Sequence, residues 1–129
     1  MLASADEWEG LRTRDSVEVD VSESELVRLI KRLDASRYTL VSLEKDAENV
    51  LMIGGGQGRF IVYFIRERDC CIELYDPDKN HDKSALLIVG GQGGDYREDQ
   101  IVDEESAITC AVTFLTTGML DERFHWRET

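Results

Sequence analysis

Residues 50–65 read VLMIGGGQGRFIVYFI, two apolar runs joined by a glycine-rich segment. The second run, Phe60–Ile65, is apolar at every position, which is typical of a central strand covered on both faces. The glycines between the runs can adopt the positive φ that a tight connection between strands requires. This stretch therefore predicts two neighbouring strands in the middle of a β-sheet.

Shorter strand patterns lie on both sides of this pair. They alternate apolar and polar residues or form short apolar runs. The predicted strands are Ser16–Val21, Tyr38–Leu43, Cys71–Tyr75, Ala85–Val89 and Phe124–Trp126. A simple meander of the middle strands would place the glycine-rich segments Gly54–Gly58 and Gly90–Gly94 at opposite ends of the sheet. It would also place the turn Lys45–Asn49 at the end that carries Gly90–Asp99.

Two helices are marked by the residues at their ends. Ser22 and Glu25 form a capping box, and an apolar stripe at helical spacing follows, so the first helix is predicted over residues 23–35. Asp103 is the predicted N-cap of the second helix, and Gly118 is placed to end it in the left-handed conformation. The predicted order is β-α-β-β-β-β-β-α-β. This is an α+β fold with a single, largely antiparallel β-sheet that carries two helices.

The length and charge of the chain limit the classes of protein to which it can belong. Its 129 residues predict one domain over residues 15–129, preceded by a loose N-terminal lead-in over residues 1–14. The chain carries 15 Lys and Arg against 27 Asp and Glu, a net charge of −12. This charge argues against nucleic acid and anionic membranes as partners and favours a basic protein. No apolar run reaches the ~18 residues of a transmembrane helix, and the N-terminus does not resemble a signal peptide.

The residue types that carry chemistry do not mark a catalytic, cofactor or metal site. Neither glycine-rich segment has the Gly-Lys-Ser/Thr of a phosphate-binding loop, so both are predicted to be strand connections. The three cysteines, Cys70, Cys71 and Cys110, are predicted to be structural thiols in a reducing compartment. His81 and His125 lie far apart in the sequence, so no metal site is predicted. A Cys-His nucleophilic pair stays open, because such partners meet only in the folded chain.

An acidic cluster follows the second glycine-rich segment. Six of the eleven residues from Asp95 to Glu105 are acidic. The last three suit the first turn of a helix, but the earlier ones flank Tyr96 in the preceding loop. A solvated face explains the cluster without a function. The functional alternative is a docking patch for a basic protein, with Tyr96 as its anchor. The residues predicted to bind the partner are Asp46, Glu48, Gln92, Asp95, Tyr96, Glu98 and Asp99.

Two short motifs resemble those of a known family. The segment Ile53–Arg59 fits a mid-chain Gly-Gly motif. A closing motif is carried by a helix with Ala and Phe, a Thr-Gly stop and a terminal Trp, here Ala107, Ala111, Phe114, Gly118 and Trp126. Over about residues 17–127, the chain resembles the immunity-protein family of bacterial polymorphic toxin systems that protects against deaminase-type toxins.

The resemblance implies a non-catalytic inhibitor without a cofactor or metal. Such a protein would act in the bacterial cytoplasm, in contact-dependent inhibition systems, by blocking the active site or substrate groove of a co-encoded toxin domain. The charge of −12 agrees with this, because a toxin that acts on nucleic acid presents a positive groove. Two other classes stay open: a small enzymatic or ligand-binding domain that uses the glycine-rich segments, and a structural adaptor subunit.

Overall fold

The computed structural model describes residues 1–129 and contains nine strands and two α-helices. The elements are β1 (Leu2–Glu9), β2 (Arg12–Glu18), α1 (Glu23–Arg32), β3 (Leu40–Asp46), β4 (Asn49–Gly56), β5 (Arg59–Arg66), β6 (Cys70–Tyr75), β7 (Ser84–Val89), β8 (Gln92–Arg97), α2 (Glu104–Thr117) and β9 (His125–Glu128). A short 3₁₀ helix, Glu98–Gln100, follows β8. The predicted α+β class is confirmed. Neither helix is long and apolar enough to cross a membrane.

Seven strands form one sheet in the order β2-β1-β3-β4-β5-β6-β9, and every neighbouring pair is antiparallel. Both helices pack on one face of this sheet, which we call the inner face. Phe60, Val62 and Phe64 of β5 lie on it, and Phe114 of α2 meets Phe64 edge to face with 5.5 Å between ring centroids. Because successive strand residues point to opposite faces, Ile61 and Tyr63 point to the other side, the outer face.

The two helices begin where the sequence predicts. The Ser22 hydroxyl accepts a hydrogen bond from the Glu25 amide at 3.2 Å, and the Asp103 carboxylate accepts one from the Ser106 amide at 2.8 Å. Gly118 ends α2 with φ 72°, as predicted. The capping box at α1 is one-sided, because the Glu25 carboxylate binds Arg28 at 2.9 Å instead of returning to the N-cap amide.

The first helix ends at Arg32, three residues before the predicted end. Asp34 explains the difference, because its carboxylate accepts hydrogen bonds from the amides of Ser36, Arg37 and Tyr38. A carboxylate that binds the following amides stabilises a turn and competes with helix. The turn leads the chain from α1 into β3.

The prediction of a loose lead-in over residues 1–14 is wrong. These residues form β1 and the start of β2, and β1 lies inside the sheet between β2 and β3. Ala3 and Ala5 are buried on the inner face. Asp6 is also buried, and its carboxylate accepts hydrogen bonds from Thr39 and Leu40. The strand pattern is hard to recognise because small alanines, and not large apolar residues, occupy its inner positions.

The segment from β7 to β8 also departs from the prediction of a single sheet. It forms a separate two-stranded hairpin that packs across the outer face. Leu87 and Val89 of the hairpin form a second small core with Ile61 and Ile101. Strand β8 was not predicted, because its glycines and acidic residue read as a loop.

Because the hairpin lies across the sheet, the prediction from a simple meander is wrong: the two glycine-rich segments do not lie at opposite ends of the sheet. The turn Gly90–Gly91 lies beside Leu40 and Thr39, at the start of β3. Leu40 pairs with Gly54, so the two glycine-rich segments meet at the same end of the sheet. The turn after β3, which was predicted at the hairpin end, lies at the opposite end of that strand.

Candidate functional site

A cleft of about 380 Å³ opens between the hairpin and the outer face of β5 and β6. Its polar and polarisable lining comes from Tyr63, Cys71, Glu73, Asp95, Tyr96, Gln100 and Thr129. Strand alternation places the first three on the outer face, while their neighbours in sequence fill the inner core. The cleft is thus built from β5, β6, β8 and the 3₁₀ helix, which are separated in sequence but fixed by two hydrogen-bonded sheets.

Two tyrosines form the walls of the cleft. Tyr63 comes from β5 and Tyr96 from β8, and both are partly buried and pack against the small core under the hairpin. Burial raises the pKa of the Tyr63 hydroxyl, and it also raises the pKa of the Tyr96 hydroxyl. Both rings are therefore neutral at pH 7 and present apolar faces with a hydroxyl that can donate a hydrogen bond. Asp95, which is exposed, adds a negative charge at the entrance.

A network of two buried carboxylates and two partly exposed arginines closes one end of the cleft. Arg127 of β9 binds the Asp99 carboxylate with two hydrogen bonds, at 2.9 and 3.0 Å, and binds Glu73 at 3.2 Å. Arg97 binds the other oxygen of Glu73 at 3.1 Å. These hydrogen bonds lower the pKa of Asp99 and raise the pKa of Arg127. Two positive and two negative groups cancel, so the network anchors the hairpin to β6 and β9 without adding net charge.

The tip of the hairpin is anchored by a further buried carboxylate, that of Asp6. Asp6 accepts hydrogen bonds from the Thr39 hydroxyl and from the indole of Trp8, the latter at 2.7 Å. The Thr39 hydroxyl in turn accepts a hydrogen bond from the Gly91 amide at 2.9 Å. Because a Cβ on Gly91 would overlap the Trp8 ring, only glycine allows this approach. The hairpin is therefore held at both ends.

The glycines of the first segment are explained by packing. A Cβ on Gly54 would lie 2.5 Å from Cγ1 of Val89, and one on Gly56 would lie 2.5 Å from the backbone nitrogen of Ala35. The Gln57 side chain donates a hydrogen bond to the Asp34 carbonyl at 3.0 Å. These close approaches to the hairpin and to the turn after α1 account for the glycines without a ligand.

The predicted partner-binding residues fall into three groups. The first group lies on or next to β8: Asp95 and Tyr96 line the cleft, and Gln92 and Glu98 are exposed near the two ends of the strand. Asp99 is only 3% exposed and belongs to the ion-pair network, so it cannot form part of an exposed acidic patch.

Asp46 and Glu48 form the third group, in the turn between β3 and β4. Asp46 accepts a hydrogen bond from the Glu48 amide at 2.9 Å, and the neighbouring Lys45 contacts the Gly118 carbonyl at the end of α2. The hairpin tip lies at the other end of β3. The prediction that Asp46 and Glu48 lie at the same end of the sheet as Asp95 and Glu98 is therefore wrong.

No hydrogen bond in the structure joins a cysteine side chain to a histidine. His81 lies beside Asp82, at 3.4 Å, and His125 packs against Tyr75. Cys110 is buried in the core, and burial raises its pKa to about 12, which leaves the thiol protonated and unreactive. Cys70 donates a hydrogen bond to Glu128, which raises its pKa. No group of three or more His, Cys, Asp or Glu side chains is arranged to hold a metal ion.

Beyond the cleft, the outer face of the sheet is open. Met52 lies opposite Tyr63, and Val50 lies opposite Ile65, so these side chains share the outer face and are half-buried. Together with the cleft, they form a partly apolar surface, which we call the outer patch. The sequence does not indicate this surface, because Phe60–Ile65 reads as a strand covered on both faces. The available signal was Tyr63, the only hydroxyl in that strand.

The chain matches the family model described as Immunity protein Imm1 over residues 14–128, which runs from within β2 through β9 and contains every residue that lines the cleft except Thr129. A comparison with individual curated proteins gives no match. The family match confirms the resemblance drawn from the two sequence motifs. It indicates a role in toxin neutralisation.

Proposed function

Because the chain belongs to the Imm1 family of immunity proteins, we propose that it neutralises a cognate toxin domain by binding it, without catalysis, in the bacterial cytoplasm. We place the toxin-binding surface at the outer patch, which includes the cleft. The toxin would be one that acts on nucleic acid, such as a deaminase. The bound protein would block its active site or its substrate groove.

The observation that carries this proposal is the pairing of Tyr63 and Tyr96 with Asp95 in one open cleft. Partly buried aromatic side chains are the residues that most often dominate the affinity of protein interfaces. An exposed carboxylate at the entrance favours an incoming Lys or Arg side chain, which could lie between the two rings. The cleft thus suits a basic side chain of the toxin.

The net charge supports the same kind of partner. A toxin domain that binds nucleic acid carries clustered Lys and Arg, and a chain with a net charge of −12 is attracted to them over several ångströms. Within this proposal Asp95, Gln92 and Glu98 contact the toxin, and Asp99 positions the hairpin. Asp46 and Glu48 contribute to the long-range attraction from a separate part of the surface.

The adjacent toxin domain provides the test. Binding kinetics are measured at two salt concentrations for Asp95→Lys and for the matched control Asp82→Lys, which makes the same charge change in the exposed loop before β7. We expect Asp95→Lys to slow association and flatten its salt dependence, because electrostatic attraction acts mainly on the association rate. The control makes the same change in net charge away from the cleft, so it should slow association less than Asp95→Lys does.

A second pair of variants tests the aromatic anchor. Tyr96→Ala should shorten the lifetime of the complex and weaken its affinity by more than ~1 kcal/mol. Met119→Ala, at an exposed apolar residue that follows α2 and lies away from the cleft, should leave the lifetime unchanged. Growth rescue in cells that express the toxin domain gives the functional readout. If Asp95→Lys and Tyr96→Ala both remain folded and bind like the parent, the toxin-binding surface lies elsewhere.

A further inference from the structure

One edge of the seven-stranded sheet is formed by β2, which pairs with β1 on one side only. Six of its seven residues are exposed. The free side of such a strand presents unpaired backbone N–H and C=O groups, which can bind another strand. The strand contains no proline, and its pairing with β1 is regular over seven residues, so no bulge bends the edge away.

The apolar side chains of the surface also concentrate here. Five large apolar residues in the chain are strongly exposed, and three of them belong to β2 or its flanking turns: Leu11 at 100%, Val17 at 57% and Val19 at 72%. Isolated exposed apolar residues are common, but three around one unpaired strand edge indicate a surface that another molecule covers.

The charges on β2 are complementary to those of a second copy of the same strand. Arg14, Ser16 and Glu18 lie on one face, opposite Glu7, Ala5 and Ala3 of β1. When two β2 strands pair antiparallel around Ser16, a two-fold axis sets Arg14 of each copy opposite Glu18 of the other. Two cross-strand ion pairs then flank a central Ser16 pair.

On the second face, this arrangement sets Asp15 of one copy opposite Val17 of the other and so separates the two Asp15 carboxylates. The guanidinium of Arg14 contacts Glu7 of its own sheet at 3.3 Å, but the Arg14 side chain remains 77% exposed, so it can bind a second carboxylate. We propose that the protein self-associates into a two-fold symmetric dimer through β2, with Ser16 at the axis, which joins the two sheets into one.

This dimer does not depend on the toxin-binding proposal. The cleft lies on β5, β6 and the hairpin, while β2 is the far edge of the same sheet, so both cleft copies remain open. A contact through one strand is smaller than the ~1,600 Å² of a standard interface, so the dimer should be reversible and dependent on concentration.

Charge reversal tests both the surface and its register. Arg14→Glu alone would set Glu opposite Glu18 in both pairs, and Glu18→Arg alone would set Arg opposite Arg14. We expect each single variant to weaken self-association by about tenfold or more. An equimolar mixture of the two variants should associate again, because every cross-strand pair in the mixed dimer then joins opposite charges.

Sedimentation velocity of the full chain from about 10 µM to about 1 mM gives the association constants. Lys31→Glu, a reversal on the exposed face of α1, is the matched control and should dimerise like the parent. Circular dichroism verifies that each variant is folded. The proposal is overturned if the parent stays monomeric at the highest concentration or if the single variants dimerise like the parent. It is equally overturned if the folded variants fail to associate when mixed.

Discussion

Asp99 and Glu98 are neighbouring acids with opposite roles, and replacing each by alanine separates those roles. Asp99 is 3% exposed and accepts two hydrogen bonds from Arg127, whereas Glu98 is exposed and its carboxylate is in no ion pair. Asp99→Ala leaves Arg127 with Glu73 as its remaining carboxylate partner. Breaking a fully buried ion pair costs about 3–5 kcal/mol.

The cost here should be lower, because the Arg127 and Arg97 side chains are 30% and 46% exposed and water can solvate them. We therefore expect Asp99→Ala to lower the free energy of unfolding by about 2–3 kcal/mol. For a chain of this size, each 1 kcal/mol shifts the unfolding midpoint by about 3–5 °C, so the expected loss is about 6–15 °C. Glu98→Ala should change the free energy of unfolding by less than about 0.5 kcal/mol.

Urea unfolding followed by circular dichroism measures both variants against the parent, with thermal unfolding as the second readout. The slope of the urea transition should stay the same, because neither change alters the surface exposed on unfolding. Equal stabilities for the two variants would refute the argument, since they would mean that the network does not hold the hairpin in place.

Three further predictions concern packing, the core thiol and pH. Gly54→Ala should destabilise the protein by about 1–3 kcal/mol in urea unfolding, because the added methyl group overlaps Val89 and displaces the hairpin; an unchanged midpoint would contradict the close approach. Cys110→Ser should lower the free energy of unfolding by about 1–3 kcal/mol through a buried hydroxyl, and toxin neutralisation at saturating protein should persist; loss of neutralisation in a folded variant would indicate a thiol mechanism. Hydrogen bonds from Arg123 lower the pKa of the Asp121 carboxyl, and hydrogen bonds from Arg127 lower the pKa of Asp99. The stabilisation that these two carboxylates provide is therefore complete above the ordinary carboxyl pKa of about 4, and it is lost as the pH falls below that value. The free energy of unfolding measured between pH 7 and pH 3 should fall less steeply in Asp121→Asn than in the parent.

The two helices could be predicted because their signals are local. Ser22 and Asp103 each cap an amide three residues ahead, and Gly118 ends α2 through its own backbone conformation. Such interactions depend on residues within one or two turns, so the sequence records them directly. The end of α1 was predicted three residues too late, because the Asp34 turn competes with helix over the same few residues.

The candidate site could be predicted only in part. Asp95 and Tyr96 were found from the acidic cluster, and the structure places them in the cleft. Tyr63 and Glu73 were missed, because nothing in the sequence around β5 and β6 indicates that a hairpin from later in the chain lies over their outer face. Asp99 was assigned to an exposed patch, because acidic residues near a helix start are usually solvated.

The α+β class, the two helices and the central strands follow from local residue patterns, and the glycine and closing-helix motifs carry the resemblance to immunity proteins. The position of the first strand inside the sheet, the crossing of the outer face by the β7–β8 hairpin and the burial of Asp99 were visible only in the folded chain. The difference lies in the range of the interactions. Asp99 binds Arg127 across 28 residues, and Thr39 binds the Gly91 amide across 52 residues. Contacts of this kind depend on where the folded elements meet, and no local pattern of residues specifies that meeting.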